Sequence, residues 1–229
     1  MKLSIILPTR NEEVLIKDTL KDLVQFLKRK KIVDFEILVV INGTEDKTEE
    51  VVSELAINNK KIEILKSKSG YGKALREGLK ESNGDYVIIF NVDFYDLRMI
   101  DLINIDLYGK DFIIGSKMAH WSKDKRSVIR KTISYLFNLY LKVVYGFGGS
   151  DTHGIKILRR EVVNKILPKC KTDSGIFDTE FVLRSQYEGF KFADFPVTVV
   201  EKRAPRFTQR VLQTPIDIYA LYNSLKDVK

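Results

Sequence analysis

The chain has 229 residues, 44% of them hydrophobic and 31% charged, with a formal net charge of +8. That length suits one large α/β domain or two small ones, and the balance excludes a disordered chain. One cysteine, Cys170, excludes a disulfide framework and fits a reducing compartment.

In chain order, Leu3 to Leu7 reads as a short buried strand stopped by Pro8. It is too short for a signal peptide. From Asn11 to about Lys30 the spacing predicts a helix, with Leu15, Leu20, Leu23, Val24 and Leu27 on one apolar face. Glu36 to Ile41 is a second buried strand. Asn42-Gly43-Thr44 is a turn, and Asp46 with Glu49 resembles a capping box opening the next helix. Ile62 to Leu65 is a third strand. The run Ser69-Gly-Tyr-Gly-Lys-Ala-Leu-Arg-Glu-Gly78 then reads as a glycine loop that starts a helix through Leu79. Tyr86 to Phe90 is a fourth, wholly apolar strand with Asn91 and Asp93 at its carboxyl end. Asp111 to Ile114 is a fifth, ending in Gly115-Ser116-Lys117. Apolar strands alternating with amphipathic helices predict a parallel, helix-covered sheet.

Beyond Lys117 the pattern is less regular. Arg126 to about Tyr145 is a long, very apolar helix. Asp151 to Lys156 opens a short strand, and Arg160 to Ile166 and Phe177 to Glu188 are helices. Phe190 to Val200 is extended, with Pro196 pointing to an edge or bulge. Thr214 to Lys226 forms a terminal helix. No linker divides the chain, which reads as one domain over residues 1–229. No stretch reaches the roughly 18 apolar residues of a membrane span.

Several motifs carry chemistry. Open α/β sheets bind ligands at the carboxyl ends of their strands, which is where Asn91 and Asp93 stand. A carboxylate there serves either to cap the next helix or to hold a divalent metal against phosphates. The glycine loop is neither a P-loop, because Ser67 and Ala74 replace required residues, nor a dinucleotide fingerprint, because Leu75 does. Arg130, Ser134 and Asn138 fall on one face of the long helix. That face belongs either to a buried helix with a few satisfied polar groups or to a phosphate-binding row at a lipid boundary. His120, His153 and Cys170 lack zinc-ligand spacing. Asp178 and Glu180 open a helix and read as helix-dipole residues or active-site acids. Basic residues are not interleaved with aromatics, so no nucleic-acid partner is expected.

In their order these segments resemble a family-two glycosyltransferase of the GT-A fold. They are most similar to the dolichol-phosphate (polyprenyl-phosphate) mannose synthases. The resemblance rests on Leu7 to Glu13, Ile41 to Thr48, Gly70 to Gly78, Gly84 to Asp93, Gly115 to Lys117, the Arg130/Ser134/Asn138 helix, Ser150 to Lys156, Phe177 to Glu180 and Phe195 to Val197. It departs at Asn42 and Asn91, each standing where the family has an aspartate. It departs again at Tyr95, at Lys117 and from Arg203 to Gln209.

The resemblance implies a mostly parallel central sheet flanked by helices. Residues 1–115 would bind the nucleotide sugar and residues 116–229 the acceptor. The donor would be a nucleoside diphosphate sugar of the GDP-mannose or UDP-glucose type, held by Pro8, Thr9, Asn11, Glu12, Asn42, Gly70, Lys73, Asn91 and Asp93. Asn91 and Asp93 would hold Mg²⁺ or Mn²⁺. Restoring an aspartate at position 91 would then tighten metal binding. The acceptor would be a lipid phosphate, held by Lys117, Arg130, Ser134 and Arg203. Transfer would invert the anomeric centre, with Asp93, Lys117, Arg130, Asp178 and Glu180 as the catalytic set. The apolar helix would make the protein peripheral to a membrane, at its cytoplasmic face. The alternatives are a sugar-hydroxyl acceptor, served by Asp178 or Glu180 as base, and a relative that binds a sugar nucleotide without efficient turnover.

Overall fold

The computed structural model describes the backbone of residues 1–200 and 207–228 and the side chains of residues 1–200 and 214–228. Arg203 therefore lies outside the described residues.

The first half runs through Leu3–Thr9 (β1), Ile16–Arg29 (α1), Phe35–Ile41 (β2), Thr48–Asn58 (α2), Ile62–Lys66 (β3) and Tyr71–Glu81 (α3). Tyr86–Ile89 (β4), a short Arg98–Asp101 (α4) and Phe112–Ser116 (β5) follow. The second half comprises Lys123–Asp124 (β6), Val128–Tyr145 (α5), Ile155–Arg159 (β7), Arg160–Ile166 (α6) and Phe177–Tyr187 (α7). Phe192–Pro196 (β8), Thr198–Val199 (β9) and Phe207–Ser224 (α8) complete it.

Seven strands form one sheet in the order β3-β2-β1-β4-β7-β5-β8, and β6 pairs with β9 apart from it. The sheet is mostly parallel, but β7 runs against both β4 and β5. The mostly parallel sheet implied by the resemblance is the one that forms, with β7 its antiparallel strand. Gly115, near the end of β5, sits opposite Ile155, the first residue of β7. The chain thus re-enters the sheet, between β4 and β5, at the same end from which it left. The last strand, β8, is an edge strand and carries Pro196, as the extended reading of that segment anticipates.

Both faces of the sheet are covered, which is why its strands are continuous apolar runs. Leu3, Ile5, Leu7, Ile37 and Ile88 pack beneath Leu20, Leu23 and Leu27 of α1. Ile6, Val40, Val87 and Ile89 pack against Leu75 and Leu79 of α3 and Phe181 of α7. Fully burying each such side chain contributes roughly 1.5–3 kcal/mol.

Four local expectations change. Pro8 does not stop β1. The Leu3 amide donates to Asp34, so odd-numbered amides face β2 and the Pro8 nitrogen faces the β4 side. Pairing with β4 ends at Ile6 while pairing with β2 continues to Thr9, so the missing donor costs no ladder bond. Helix α1 starts at Ile16 rather than Asn11, because Asn11 sits in the left-handed region at φ 55°. The capping box does not close: Asp46 accepts from the Thr48 amide, whereas Glu49 pairs with Lys66. Finally, residues 151–154 form a loop, and β7 begins only at Ile155.

Candidate active site

The carboxyl ends of β1, β2 and β4 lie side by side, because the three strands are parallel and adjacent. Pro8 and Thr9 are buried in β1, with the Thr9 hydroxyl donating to the Leu7 carbonyl at 2.8 Å. Asn42 closes the gap beside them. Its backbone amide and its Nδ2 both donate to the Thr9 carbonyl, at 3.0 and 3.1 Å. An aspartate could not make the second bond, so this departure from the family pattern has a structural use. Asn11 and Glu12 latch the neighbouring loop. Asn11 Oδ1 accepts from the Glu45 amide at 2.9 Å, and the Glu12 amide donates to the Thr48 hydroxyl at 2.7 Å.

After β4 the chain makes a tight turn. The Asn91 amide donates to the Phe94 carbonyl at 3.0 Å, and the Phe94 amide returns to Asn91 at 3.2 Å. Val92 is buried at the tip of this turn, and its carbonyl accepts from Thr19 of α1 at 2.9 Å. The backbone that carries Asn91 and Asp93 is thereby fixed, and both side chains remain partly exposed. Tyr95 faces away: its hydroxyl donates to Asp22 at 2.7 Å. Burial and that carboxylate push the phenol up to about 12.

The glycine loop delivers Tyr71 to the same place. Gly70 caps α3 at φ 135°, open to glycine and strained for other residues. A Cβ on Gly72 would lie 2.2 Å from the Ser174 carbonyl oxygen, so only glycine lets α3 approach the segment before α7. Lys73 packs its stem over Gly70. The Tyr71 hydroxyl then lies 3.3 Å from Asn91 Oδ1 and 3.4 Å from Asp178 Oδ2. Burial, Asp178 and Asp93 hold its phenol well above the ordinary range, so it stays protonated. Asp178 is itself buried, and Lys156 Nζ donates to its Oδ1 at 2.8 Å.

In the second half of the chain, α5 turns Asn138, Leu141 and Tyr145 inward and leaves Arg130 and Ser134 half-buried. The three polar positions therefore share an inward-facing side, as their spacing predicts. Ser134 lies 3.3 Å from Arg126, which is paired with Asp124. Lys117 is not a lone cation: its ammonium is paired with the buried Asp151. Burial alone would raise the Asp151 carboxyl, but Lys117 outweighs it and holds the group below its usual value. Thr152 shares a hydroxyl contact of 2.8 Å with Thr179, tying the 151–154 loop to α7.

Glu180 is corrected as a catalytic candidate. It is fully buried, accepts from the amides of Lys171 and Thr172 at 2.9 and 2.8 Å and from the Thr172 hydroxyl at 2.7 Å, and pairs with Arg184 at 2.8 Å. No lone pair is left for a substrate, and the residue instead clasps the segment before α7. Sequence reasoning gave no role to Lys156, Asp151 or Tyr71. Lys156 had one legible signal: a single cation inside the apolar run Ile155 to Leu158 needs a buried carboxylate.

Residues 4–167 match the model of Glycosyl transferase family 2. The chain is 27% identical over 217 residues to the dolichyl-phosphate beta-glucosyltransferase of Dictyostelium discoideum, covering 87% of this chain and 66% of the relative. It is 28% identical over 214 residues to glycosyltransferase AglD of Haloferax volcanii, covering 86% and 33%. The chain thus spans from a third to just under two thirds of these relatives' lengths. The fold is shared with glucosyl-3-phosphoglycerate synthase from Mycobacterium tuberculosis, solved with Mn²⁺, UDP and phosphoglyceric acid. That match has a TM-score of 0.71 and 17% identity, covering 98% of this chain and 78% of that one. Mannosyl-3-phosphoglycerate synthase from Rubrobacter xylanophilus gives 0.71 and 17%, covering 99% and 75%.

Proposed function

The chain belongs to glycosyl transferase family 2, and from that premise we propose that it moves a hexose from a nucleoside diphosphate sugar to a polyprenyl or dolichyl phosphate. UDP-glucose is the first donor to test. The name of the Dictyostelium relative, a dolichyl-phosphate beta-glucosyltransferase, and the UDP in the glucosyl-3-phosphoglycerate synthase structure support that choice.

The observation that carries the lipid acceptor is the outward side of α5. Val128, Ile129, Ile133, Leu136, Leu139 and Val143 are all exposed there, from 41% to 77%. The Trp121 ring, 82% exposed, stands before the helix. Monomeric soluble proteins seldom leave so continuous an apolar strip in water. Lys131 and Lys142 lie on the same helix and would meet anionic headgroups. Among the described residues no helix is long and apolar enough to cross a membrane, so the contact proposed is peripheral.

The residues fit a divalent cation shared with the donor. Asp93 and the Asn91 carbonyl offer hard oxygen ligands, and Mg²⁺ commonly takes only one or two carboxylates plus substrate phosphates. Among the described residues no group of three or more His, Cys, Asp or Glu could hold a metal ion without the donor. When bound, the cation would neutralise charge gathering on the departing diphosphate. The chain's own part is to hold the reactants. A lipid phosphate is already an anionic nucleophile and needs no strong base. Arg130, with Ser134 one turn along the helix and with Lys117, would hold that phosphate opposite the diphosphate, so attack would invert the anomeric centre. Asp178, fixed by Lys156 and Tyr71, would border the sugar.

Thermal shift across a panel of nucleotide sugars with Mn²⁺ tests the donor. UDP-glucose is expected to stabilise the protein most, and no response to any donor would contradict the proposal. Arg130→Ala is expected to slow transfer to polyprenyl phosphate at least tenfold, about 1.4 kcal/mol of barrier, with donor affinity unchanged. Equal loss of donor affinity would move Arg130 to the donor site.

A further inference from the structure

Tyr71 lies between Asn91 and Asp178, and a phenol has one hydrogen to give. The two oxygens nearest the hydroxyl, Asn91 Oδ1 at 3.3 Å and Asp178 Oδ2 at 3.4 Å, are both acceptors. Both separations exceed the usual O–H···O range, as expected where one proton serves two acceptors. The conflict has one resolution without moving the backbone. A carboxylate is the stronger acceptor, so the phenol proton goes to Asp178. A half-turn of the Asn91 amide then brings its Nδ2 hydrogens to the phenol oxygen. Each donor in the row then has an acceptor. Lys156 gives to Asp178 at 2.8 Å, Tyr71 gives to Asp178, and Asn91 gives to Tyr71. The Asn91 carbonyl oxygen is left turned away from Tyr71, on the partly exposed turn that also carries Asp93.

We propose that Tyr71 and Asn91 are a matched pair, in which the phenol accepts from the amide and so aims the Asn91 carbonyl oxygen at the site of the donor's cation. This rests on the metal-assisted reading above and deepens it. It makes Tyr71 a positioning residue. It also explains why an asparagine serves at position 91, because an aspartate there would set a second carboxylate against a phenol that has already given its proton to Asp178. The expectation that an aspartate at 91 tightens metal binding is thereby reversed, unless Tyr71 is removed with it.

Four proteins test the pair: wild type, Asn91→Asp, Tyr71→Phe and the double variant. The first readout is calorimetric titration of Mn²⁺ in the presence of UDP. Asn91→Asp is expected to bind Mn²⁺ at least threefold more weakly than wild type. The double variant is expected to bind at least tenfold more tightly than Asn91→Asp. Tighter binding by Asn91→Asp alone, or independent effects of the two changes, would overturn the pairing. The second readout needs no ligand. In EDTA, Asn91→Asp is expected to melt about 2–4 °C below wild type, and Tyr71→Phe to restore most of that loss. Additive melting shifts would overturn the pairing by themselves. If the melting cycle shows coupling while wild type binds no Mn²⁺ with UDP or GDP, the pair stands and the cation reading fails.

Discussion

Lys156 Nζ lies 2.8 Å from Asp178 Oδ1, and each residue is no more than 2% exposed. Lys156 also donates to the Gly154 carbonyl at 2.7 Å. The pair joins β7 to α7 and fixes the carboxylate that faces Tyr71. Removing one partner of such a pair strands the other charge away from water. Lys156→Met is therefore expected to lower unfolding free energy by about 3–5 kcal/mol. A loss below about 1 kcal/mol in urea titration would show that water reaches Asp178.

Acid stability is expected to depend on Asp151. Burial would raise its carboxyl, but Lys117 and, to a smaller degree, His153 outweigh burial and hold it below 3.8. A carboxyl lowered in the folded state contributes stability above its unfolded value, and that contribution is lost as pH falls through the folded value. Asp151→Asn should therefore flatten the acid limb of stability between about pH 5 and pH 2. Urea midpoints across that range check it, and an unchanged slope would contradict it.

Glu180 and Asp178 are expected to separate cleanly. Glu180→Gln removes the charge that pairs with Arg184 inside the protein and should cost about 3 kcal/mol of stability. Transfer per folded molecule should be preserved. Asp178→Asn should lower transfer at least tenfold, about 1.4 kcal/mol of barrier. Both variants should lose stability, because Asp178→Asn strands Lys156, so activity per folded molecule is what distinguishes the two. The reverse pattern would return Glu180 to the site.

Membrane contact through α5 is expected to fail when its outward side is charged. Ile133→Glu with Leu136→Glu changes two side chains that are 41% and 56% exposed, so folding should be spared. Wild type should sediment with anionic liposomes at low salt, each lysine or arginine near the surface adding about 1 kcal/mol. The double variant should stay in the supernatant. Equal pelleting of the two would place the membrane contact elsewhere.

The strands were legible because a sheet buried on both faces writes itself as continuous apolar runs, and Tyr86 to Ile89 is one. Asn91 and Asp93 were legible because the end of such a run is a ligand position. The direction of β7 was not legible, since Ile155 to Leu158 reads the same whichever way it runs. Asp178 and Glu180 were not separable by spacing from a shared start. Two residues apart on a helix they point about 200° from one another, one toward Tyr71 and the other toward the Lys171–Thr172 amides. Tyr71 was hidden for a different reason: its partners, 20 and 107 positions away, meet it only once the sheet has assembled.

Hexose transfer from UDP-glucose to a polyprenyl phosphate with Mn²⁺, measured for wild type and for Asp93→Ala, decides whether this chain is a metal-assisted lipid-phosphate hexosyltransferase. Wild type is expected to form a hexosyl phospholipid of inverted anomeric configuration. Asp93→Ala should stay folded and give at most background product. Transfer that is indifferent to Asp93, or a wild type that moves no hexose to the lipid from UDP-glucose or GDP-mannose, would contradict the account.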